Sequence, residues 1–325
     1  MAVCDVISAS DAILWQALGS YRPDGSKGIQ ALRDSLQALA PVGSEVDVDK
    51  AGNLWIDTRF QDSQGTMFCA HLDAVHPAKR EGSIPLFFSA AGDIVHTGGE
   101  AVLGADDGAG VAILAAMLVG GIPGLYLFSQ GEETGGRGMR YAVRELAYRV
   151  SSISRCIAFD RRGTSEICGA QGCGTLASVA FVEALSEALG LDHVWGRGSY
   201  TDNSEWQGAI PEIVNISVGY ELNHSKLETL DWVYFQSLRL ACLSLDWEAL
   251  PTEGPAIDPV DVWGGYRSAA AKDYLSTSWG DDWAMGAGPD PVDDEWRDLC
   301  DSLGFDVQSY EAQLVLDSLS RVSRL

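Results

Sequence analysis

The chain has 325 residues, of which 46% are hydrophobic and 21% are charged, and 22 basic against 46 acidic side chains give a formal net charge of −24. This composition excludes a disordered or collagen-like chain, and a field of that sign argues against nucleic acid or an anionic membrane as a partner. The longest apolar run, residues 111–119, is far shorter than the roughly 20 residues that cross a bilayer.

The apolar pattern predicts an α/β fold. A helical segment over residues 9–39, interrupted near 21–28, is followed by apolar runs that alternate with helical patterns. The predicted strands are 54–58, 66–71, 125–129, 155–160 and 212–218, and the later predicted helices are 108–119, 137–147, 176–189 and 231–246. Continuous apolar strands between helices indicate a mostly parallel, mixed central sheet with helices on both faces.

The composition changes near Pro251. Between Asp246 and Asp306 there are 15 acidic and 3 basic residues, a net charge of −12. We therefore predict a catalytic domain over residues 1–250 and an acidic extension over 251–325 that is rich in Trp, Pro and Gly and ends in helix. Four tryptophans either pack this extension onto the catalytic domain or form a protein-binding surface: Trp263, Trp279, Trp283 and Trp296.

Five polar clusters lie at the ends of predicted elements. Four of them follow strands and the fifth opens a helix, in the order His71-Leu72-Asp73, Gly104-Ala105-Asp106-Asp107-Gly108, Glu132-Glu133, Asp160 and Asn223-His224-Ser225. In an open α/β sheet, ligand sites lie outside the carboxyl ends of the strands. Each cluster alone is typical of solvated surface or of helix capping. Together they predict one shared site.

The residue types in these clusters suit divalent metal ions. Imidazole and carboxylate ligands without thiolates favour zinc, cobalt or manganese, and two imidazoles with three carboxylates can hold two ions when one carboxylate bridges them. Alternate residues of an extended segment face the same way, so Asp73 can accept the second N–H of His71. Adjacent side chains diverge, so one of Glu132 and Glu133 can bind an ion while the other takes a proton from the attacking water.

The order of these motifs resembles that of the co-catalytic zinc exopeptidases. The matching segments read His-x-Asp, Gly-Ala-Asp-Asp-x-Ala-Gly, Glu-Glu-x-Gly-x-x-Gly, Asp and His, and an Asp-x-x-Gly-Asn segment at 49–53 precedes them. That group includes bacterial leucyl aminopeptidases, glutamyl aminopeptidases, peptidase T and the carboxypeptidase G group. The resemblance covers about residues 48–232 and implies a zinc-exopeptidase fold.

The resemblance also implies roles for individual residues. It assigns seven of them: His71 and Asp160 bind one ion, Glu133 and His224 bind the other, Asp106 bridges the two, Glu132 is the general base and Asp73 orients His71. A cis peptide bond between Asp106 and Asp107 is a further implied feature.

The interval between Asp160 and His224 distinguishes the branches of this group. It spans 64 positions, too few for the lid or dimerisation domain that the carboxypeptidase-like branch and peptidase T insert there. It also contains Thr201-Asp202, which is similar to the Ser/Thr-Asp loop of single-domain aminopeptidases. We therefore predict an aminopeptidase that releases N-terminal residues from peptides.

The candidate substrate-binding residues are Arg161, Arg162, Thr201 and Asp202. An arginine after Asp160 either pairs with a substrate carboxylate or neutralises clustered carboxylates. A carboxypeptidase or an N-acyl-amino-acid deacylase could use the same centre. In a different class, a catalytically silent binding or structural protein could act through the acidic extension.

The cysteines predict a reducing compartment. The seven cysteines include no Cys-x-x-Cys pair, which argues against a disulfide framework and against a thiolate zinc site. The first residues lack the pattern of a secretory signal. We expect a cytoplasmic protein whose partner is a peptide substrate, with no nucleic acid or membrane partner. The acidic extension is a candidate for binding a protein partner or a second copy.

Overall fold

The computed structural model describes residues 3–59 and 65–255. The helices are α1 (Val3–Leu18), α2 (Lys27–Leu39), α3 (Ala105–Val119), α4 (Arg137–Leu146), α5 (Val179–Leu189) and α6 (Trp232–Ser244). The strands are β1 (Glu45–Val48), β2 (Leu54–Asp57), β3 (Gly65–His71), β4 (Phe87–Phe88), β5 (Ile94–His96), β6 (Leu125–Ser129), β7 (Ile153–Arg161), β8 (Glu166–Gln171), β9 (Gly174–Thr175), β10 (Val194–Arg197), β11 (Glu212–Ser217), β12 (Tyr220–Glu221) and β13 (Thr229–Asp231).

The central sheet has the strand order β1-β2-β6-β3-β7-β11-β8-β10, and β9 pairs with β8. Strands β6, β3, β7 and β11 run parallel in its middle. Strands β1, β2 and β8 add antiparallel pairs toward the edges. The predicted mixed sheet with a parallel core is therefore confirmed.

Apolar layers cover both faces of this sheet, as predicted. In β3, Phe68 and Ala70 face the layer that includes residues of α1, α2, α3, α5 and α6. Met67 and Cys69 face the opposite layer, which includes α4. Because the middle strands are buried on both sides, apolar residues occur on both of their faces rather than at every second position only.

Some element boundaries differ from prediction. Helix α1 begins at Val3, six residues before the predicted start. The helix predicted from 176 begins at Val179, because the hydroxyl of Ser178 accepts the N–H of Phe181 and caps it there. A second sheet with the order β12-β13-β5-β4 was not predicted. The loop between β12 and β13 carries His224 and Glu228 to the site.

The described chain continues past residue 250 as an ordered segment. The backbone N–H groups of Glu253 and Gly254 donate to Glu212 at 2.8 Å. The predicted extension and its four tryptophans lie outside the described residues beyond Pro255. In the described ranges, no helix has the length and apolarity needed to cross a bilayer, and no disulfide joins the six cysteines found there.

Candidate metal centre

The sheet topology places the five predicted metal ligands side by side. His71 ends β3, Glu133 follows β6, and Asp160 lies near the end of β7. Since β3, β6 and β7 are parallel neighbours, their carboxyl ends meet at one edge of the sheet. Asp106 reaches this edge from the start of α3, and His224 reaches it from the β12–β13 loop.

One group of potential ligands surrounds the imidazole of His71. Its Nε2 lies 3.0 Å from Oδ1 of Asp106 and 3.6 Å from Oδ1 of Asp160. The side chain of His71 is only 2% exposed. These three residues therefore offer one nitrogen and two oxygens within the reach of a single ion.

A second group shares Asp106 with the first. The Nε2 of His224 lies 3.2 Å from Oδ2 of Asp106 and 3.1 Å from Oε2 of Glu133. The other oxygen of Glu133, Oε1, is buried and has no hydrogen-bond partner among the described residues. The carboxylate of Asp106 thus faces His71 with one oxygen and His224 with the other.

The electrostatics of the site favour bound cations. Burial raises the pKa of Glu132 well above its usual range; the charge of His71 opposes this shift and Glu133 adds to it. Burial and the carboxylate of Asp106 raise the pKa of Glu133 to about 7, although the hydrogen bond and the charge of His224 oppose this shift. Burial lowers the pKa of His224, but its bonds to Asp106 and Glu133 outweigh this and raise it to about 11. Crowded carboxylates of this kind are stabilised by nearby positive charge.

The backbone at the start of α3 is held by buried carboxylates. The peptide bond between Asp106 and Asp107 is cis, as the resemblance implied. The carboxylate of Glu228 accepts the N–H groups of Gly104 and Asp106 at 2.8 and 2.9 Å. The carboxylate of Asp107 accepts the N–H of His71 at 3.0 Å. These bonds connect the segment of Asp106 to the end of β3.

Asp73 contacts His71 differently from the sequence expectation. The Nδ1 of His71 lies 3.0 Å from the backbone oxygen of Asp73 and 3.6 Å from its carboxylate. Because β3 ends at His71, the alternation of an extended strand does not continue to Asp73. Its carboxylate instead accepts the backbone N–H groups of Gly131, Glu132 and Glu133 at 2.8–3.2 Å. Asp73 thereby positions the loop of the two glutamates.

Thr201 and Asp202, predicted to bind substrate, are buried beside the ligands. The hydroxyl of Thr201 donates to Oδ2 of Asp160 at 3.0 Å. The carboxylate of Asp202 accepts the hydroxyl of Ser129 at 2.5 Å. Burial raises the pKa of Asp202 to about 7, although the bond from Ser129 opposes the shift. In this arrangement Thr201 supports the candidate ligand Asp160, and a substrate-binding role for Thr201 and Asp202 stays a prediction.

Two arginines, Arg161 and Arg162, follow Asp160 directly in the sequence. The guanidinium of Arg161 donates twice to the carboxylate of Glu166, at 2.7 and 2.9 Å. The guanidinium is therefore engaged with a carboxylate of the chain, and a substrate-binding role for Arg161 stays a prediction. A substrate-binding role for Arg162 stays a prediction.

Several further side chains at the site have no role assigned from the sequence, although Asn223 belongs to one of the five polar clusters. Asn223 donates to Oδ2 of Asp106 at 2.7 Å, and the hydroxyl of Tyr220 lies 3.1 Å from Oδ1 of Asp160. Both precede His224 closely, so the polar segment around that histidine could have indicated them. Arg22 and Glu228, which are also buried here, gave no such signal.

No protein-family model matches the chain, and no curated protein is significantly similar to it in sequence. Solved structures are similar in fold. The aminopeptidase PepT of Bacillus cereus is 14% identical, with a TM-score of 0.55 over 75% of this chain and 98% of that chain. The TET1 peptidase of Pyrococcus horikoshii is 16% identical, with a TM-score of 0.57 over 73% and 99%. A tripeptidase of Staphylococcus aureus is 15% identical, with a TM-score of 0.58 over 75% and 97%. The chain therefore has the fold of these peptidases, as the motifs predicted.

Proposed function

We propose that this protein is a metal-dependent exopeptidase, an aminopeptidase that releases N-terminal residues from peptides. The observation that carries the proposal is the carboxylate of Asp106, which faces His71 with one oxygen and His224 with the other. A shared carboxylate between two ligand groups is the arrangement of a two-metal hydrolytic site. The fold likeness to structures described as aminopeptidases supports the same assignment.

The donor set fits two divalent ions. Imidazole nitrogens and carboxylate oxygens without thiolates suit zinc, and also cobalt or manganese. We assign three ligands to each ion, with Asp106 in common: His71, Asp106 and Asp160 for one, and Asp106, Glu133 and His224 for the other. The buried, unpartnered Oε1 of Glu133 fits this assignment, because an ion would compensate an oxygen that lacks a donor.

Glu132 is the proposed general base. When bound, divalent ions polarise the scissile carbonyl and lower the pKa of the attacking water. The carboxylate of Glu132 lies within 4.8 Å of potential ligand atoms of His71 and Glu133, where it can accept the proton of that water. The same carboxyl group then gives the proton to the leaving amine. Asp73 keeps Glu132 in place through the backbone bonds described above.

A substrate screen tests this proposal and separates it from the alternatives. Metal-loaded protein would be assayed on dipeptides with a free N-terminus, with a blocked N-terminus and with a blocked C-terminus. An aminopeptidase cleaves the free and the C-blocked substrates. Cleavage of only the N-blocked set would favour a carboxypeptidase or deacylase, and no cleavage of any set would favour a binding protein. Metal-loaded Glu132→Gln protein is the matched control for contaminating peptidases.

Two further proposals concern the partner of the acidic extension and the location of the protein in the cell. We propose that residues beyond Pro255 bind a protein partner or a second copy, because half of the net charge lies between Asp246 and Asp306. Light scattering of the full chain and of a chain ending at Pro255 would reveal self-association. A cytoplasmic location is supported by the free thiols and is testable by cell fractionation.

A further inference from the structure

A fully buried arginine lies directly behind the candidate metal centre. Arg22 belongs to the loop between α1 and α2, far from the ligands in sequence, and its exposure is 0%. Burial lowers the pKa of its guanidinium, while the carboxylates of Asp73, Asp107 and Glu228 oppose this. A buried cation is costly unless it is hydrogen bonded, so its contacts indicate what it does.

The guanidinium of Arg22 connects the segment that carries His71 with the segment that carries Asp106. Its Nη1 donates to the backbone oxygen of Leu72, the residue after His71. Its Nη2 donates to the backbone oxygen of Gly104 at 2.6 Å, two residues before Asp106. One rigid planar group therefore holds both backbones at a fixed separation.

The surroundings of Gly104 show how closely this contact is built. Gly104 has a left-handed conformation with φ of 69°, and a Cβ added there would lie 3.0 Å from Nη2 of Arg22. Its N–H is taken by Glu228 and its C=O by Arg22, so the peptide groups on both sides of this glycine are fixed. The backbone N–H of Arg22 also donates to Nδ1 of His76 at 2.8 Å.

Lysine could not reproduce this arrangement. A guanidinium presents several N–H groups in one plane and can reach two carbonyl groups in fixed directions, whereas an ammonium is a compact point charge on a flexible stem. The two segments that Arg22 connects come from β3 and from the start of α3, so their spacing depends on a contact of this kind.

We propose that Arg22 is a positioning residue that fixes the separation of His71 and Asp106 and thereby sets the affinity of the group His71, Asp106 and Asp160 for a divalent ion. This inference rests on the proposed function of that group. Arg22 acts through the backbone of Leu72 and Gly104, which lie close to the ligands in sequence.

Metal affinity measured without catalysis tests the proposal. Metal-free wild type, Arg22→Gln and Arg22→Lys would be titrated with Co²⁺ against a competing chelator, and the visible absorption of bound Co²⁺ would report the coordination geometry. Loss of an outer contact of this kind typically lowers metal affinity 10–100-fold. We expect about that loss for Arg22→Gln, an altered Co²⁺ spectrum, and partial recovery of affinity in Arg22→Lys, which keeps the charge.

Arg155 provides the matched control. It is equally buried, and its guanidinium also donates to a backbone oxygen, that of Leu250, at 2.5 Å, but it lies at the amino end of β7. Arg155→Gln should lower thermal stability and leave Co²⁺ affinity unchanged.

Equal Co²⁺ affinity in Arg22→Gln and wild type would overturn the inference. If Arg22→Gln does not fold, Arg22→Lys decides: wild-type affinity and spectrum would overturn it. A wild-type chain that binds no Co²⁺ would instead reject the proposed function.

Discussion

The two ends of the central strands contain buried charges of different character. At the amino ends of β7 and β11, the carboxylate of Glu212 accepts four hydrogen bonds, from Ser178, Glu253 and Gly254. At the carboxyl ends, carboxylates face one another, and Glu133 has a buried oxygen without a partner among the described residues. Glu212 at the amino end is satisfied by the chain itself, whereas Glu133 at the carboxyl end keeps one oxygen that a bound cation could compensate.

The same strands therefore have buried charged groups of two kinds: at one end they support the fold, and at the other end they belong to the candidate metal centre. A buried charge with a full set of hydrogen bonds stabilises the fold and needs no ligand. A cluster of like charges stores unfavourable electrostatic energy that bound ions can relieve, so strongly shifted pKa values concentrate at functional sites. Substitutions at one end should therefore leave the properties of the other end unchanged.

The largest effect should come from the shared carboxylate. Asp106→Ala removes a ligand from both groups, so metal content should fall from about two ions per chain to nearly none and peptidase activity should be lost. Elemental analysis of protein purified without chelators measures this. Glu212→Gln, at the amino end, should retain both ions. Two tightly bound ions in Asp106→Ala would exclude the bridging role.

The pair Glu132 and Glu133 should separate proton transfer from metal binding. Glu132→Gln keeps the size of the side chain but cannot accept a proton, so kcat should fall by about 10²–10⁴ with unchanged metal content. Glu133→Gln should instead weaken metal binding. Steady-state kinetics combined with metal analysis distinguishes the two, and a reversed pattern would exchange their roles.

A change at the amino end should affect stability alone. Glu212→Ala leaves the N–H groups of Ser178, Glu253 and Gly254 without their acceptor, which should lower the free energy of unfolding by about 3 kcal/mol. Chemical denaturation measures this, and metal content serves as the control. Loss of bound ions in this variant while it remains folded would show that the two ends are coupled.

His76 should behave as a structural group although it lies near the carboxyl ends. Burial, aided by the charge of Arg22, lowers its pKa to about 4, and both ring nitrogens have partners. Because this folded-state pKa lies below the unfolded value of about 6.5, its contribution is complete above pH 6.5 and is lost as the pH falls through 4.

The test for His76 compares metal-free wild type with His76→Gln between pH 7 and 4. The free energy of unfolding of the wild type minus that of the variant should decrease by about 2–3 kcal/mol over this range. The metal ligands titrate in both proteins, so their effect cancels in this difference. Unfolding in denaturant at each pH gives this difference. A difference that stays constant with pH would contradict the assignment of a buried neutral imidazole.

Removal of the acidic extension should have the smallest effect on metal content and activity, because all proposed ligands and the proposed base precede it. A chain ending at Pro255 keeps the bonds of Glu253 and Gly254 and should retain metal and peptidase activity. A chain ending at Leu250 loses those bonds and should be about 1–2 kcal/mol less stable. Thermal unfolding and the peptidase assay compare them. A folded, fully metallated but inactive Pro255 chain would show that the extension completes the substrate site.

The parts of the fold that the sequence predicts are those encoded locally. Strands β3, β6, β7 and β11 are mostly apolar segments, and the polar clusters lie near or after their carboxyl ends in sequence. Strand β8 was missed because Gly169 and its small neighbours carry little strand preference; a Cβ on Gly169 would meet the ring of Trp195 in β10 at 2.5 Å. Its structure is therefore set by packing with a distant segment.

The candidate site divides in the same way. The proposed ligands could be named from the sequence because each belongs to a short polar cluster that follows a predicted strand or opens a predicted helix. Arg22 could not be named in this way, because it lies 50 residues from Leu72 and 82 residues from Gly104 in the sequence. Thr201 was singled out by its motif, but the motif does not encode burial, and only the structure shows its hydroxyl behind Asp160.

The unequal exposure of the two histidines has a consequence for how ions are exchanged. The side chain of His71 is 2% exposed, whereas that of His224 is 44% exposed and lies on a loop. Solvent therefore reaches the group of His224 first. We expect loading and stripping to be sequential, with a slowly exchanging inner ion and a labile outer one. Two kinetic phases of ion release into excess chelator would reveal this order, with the faster phase assigned to the group of His224.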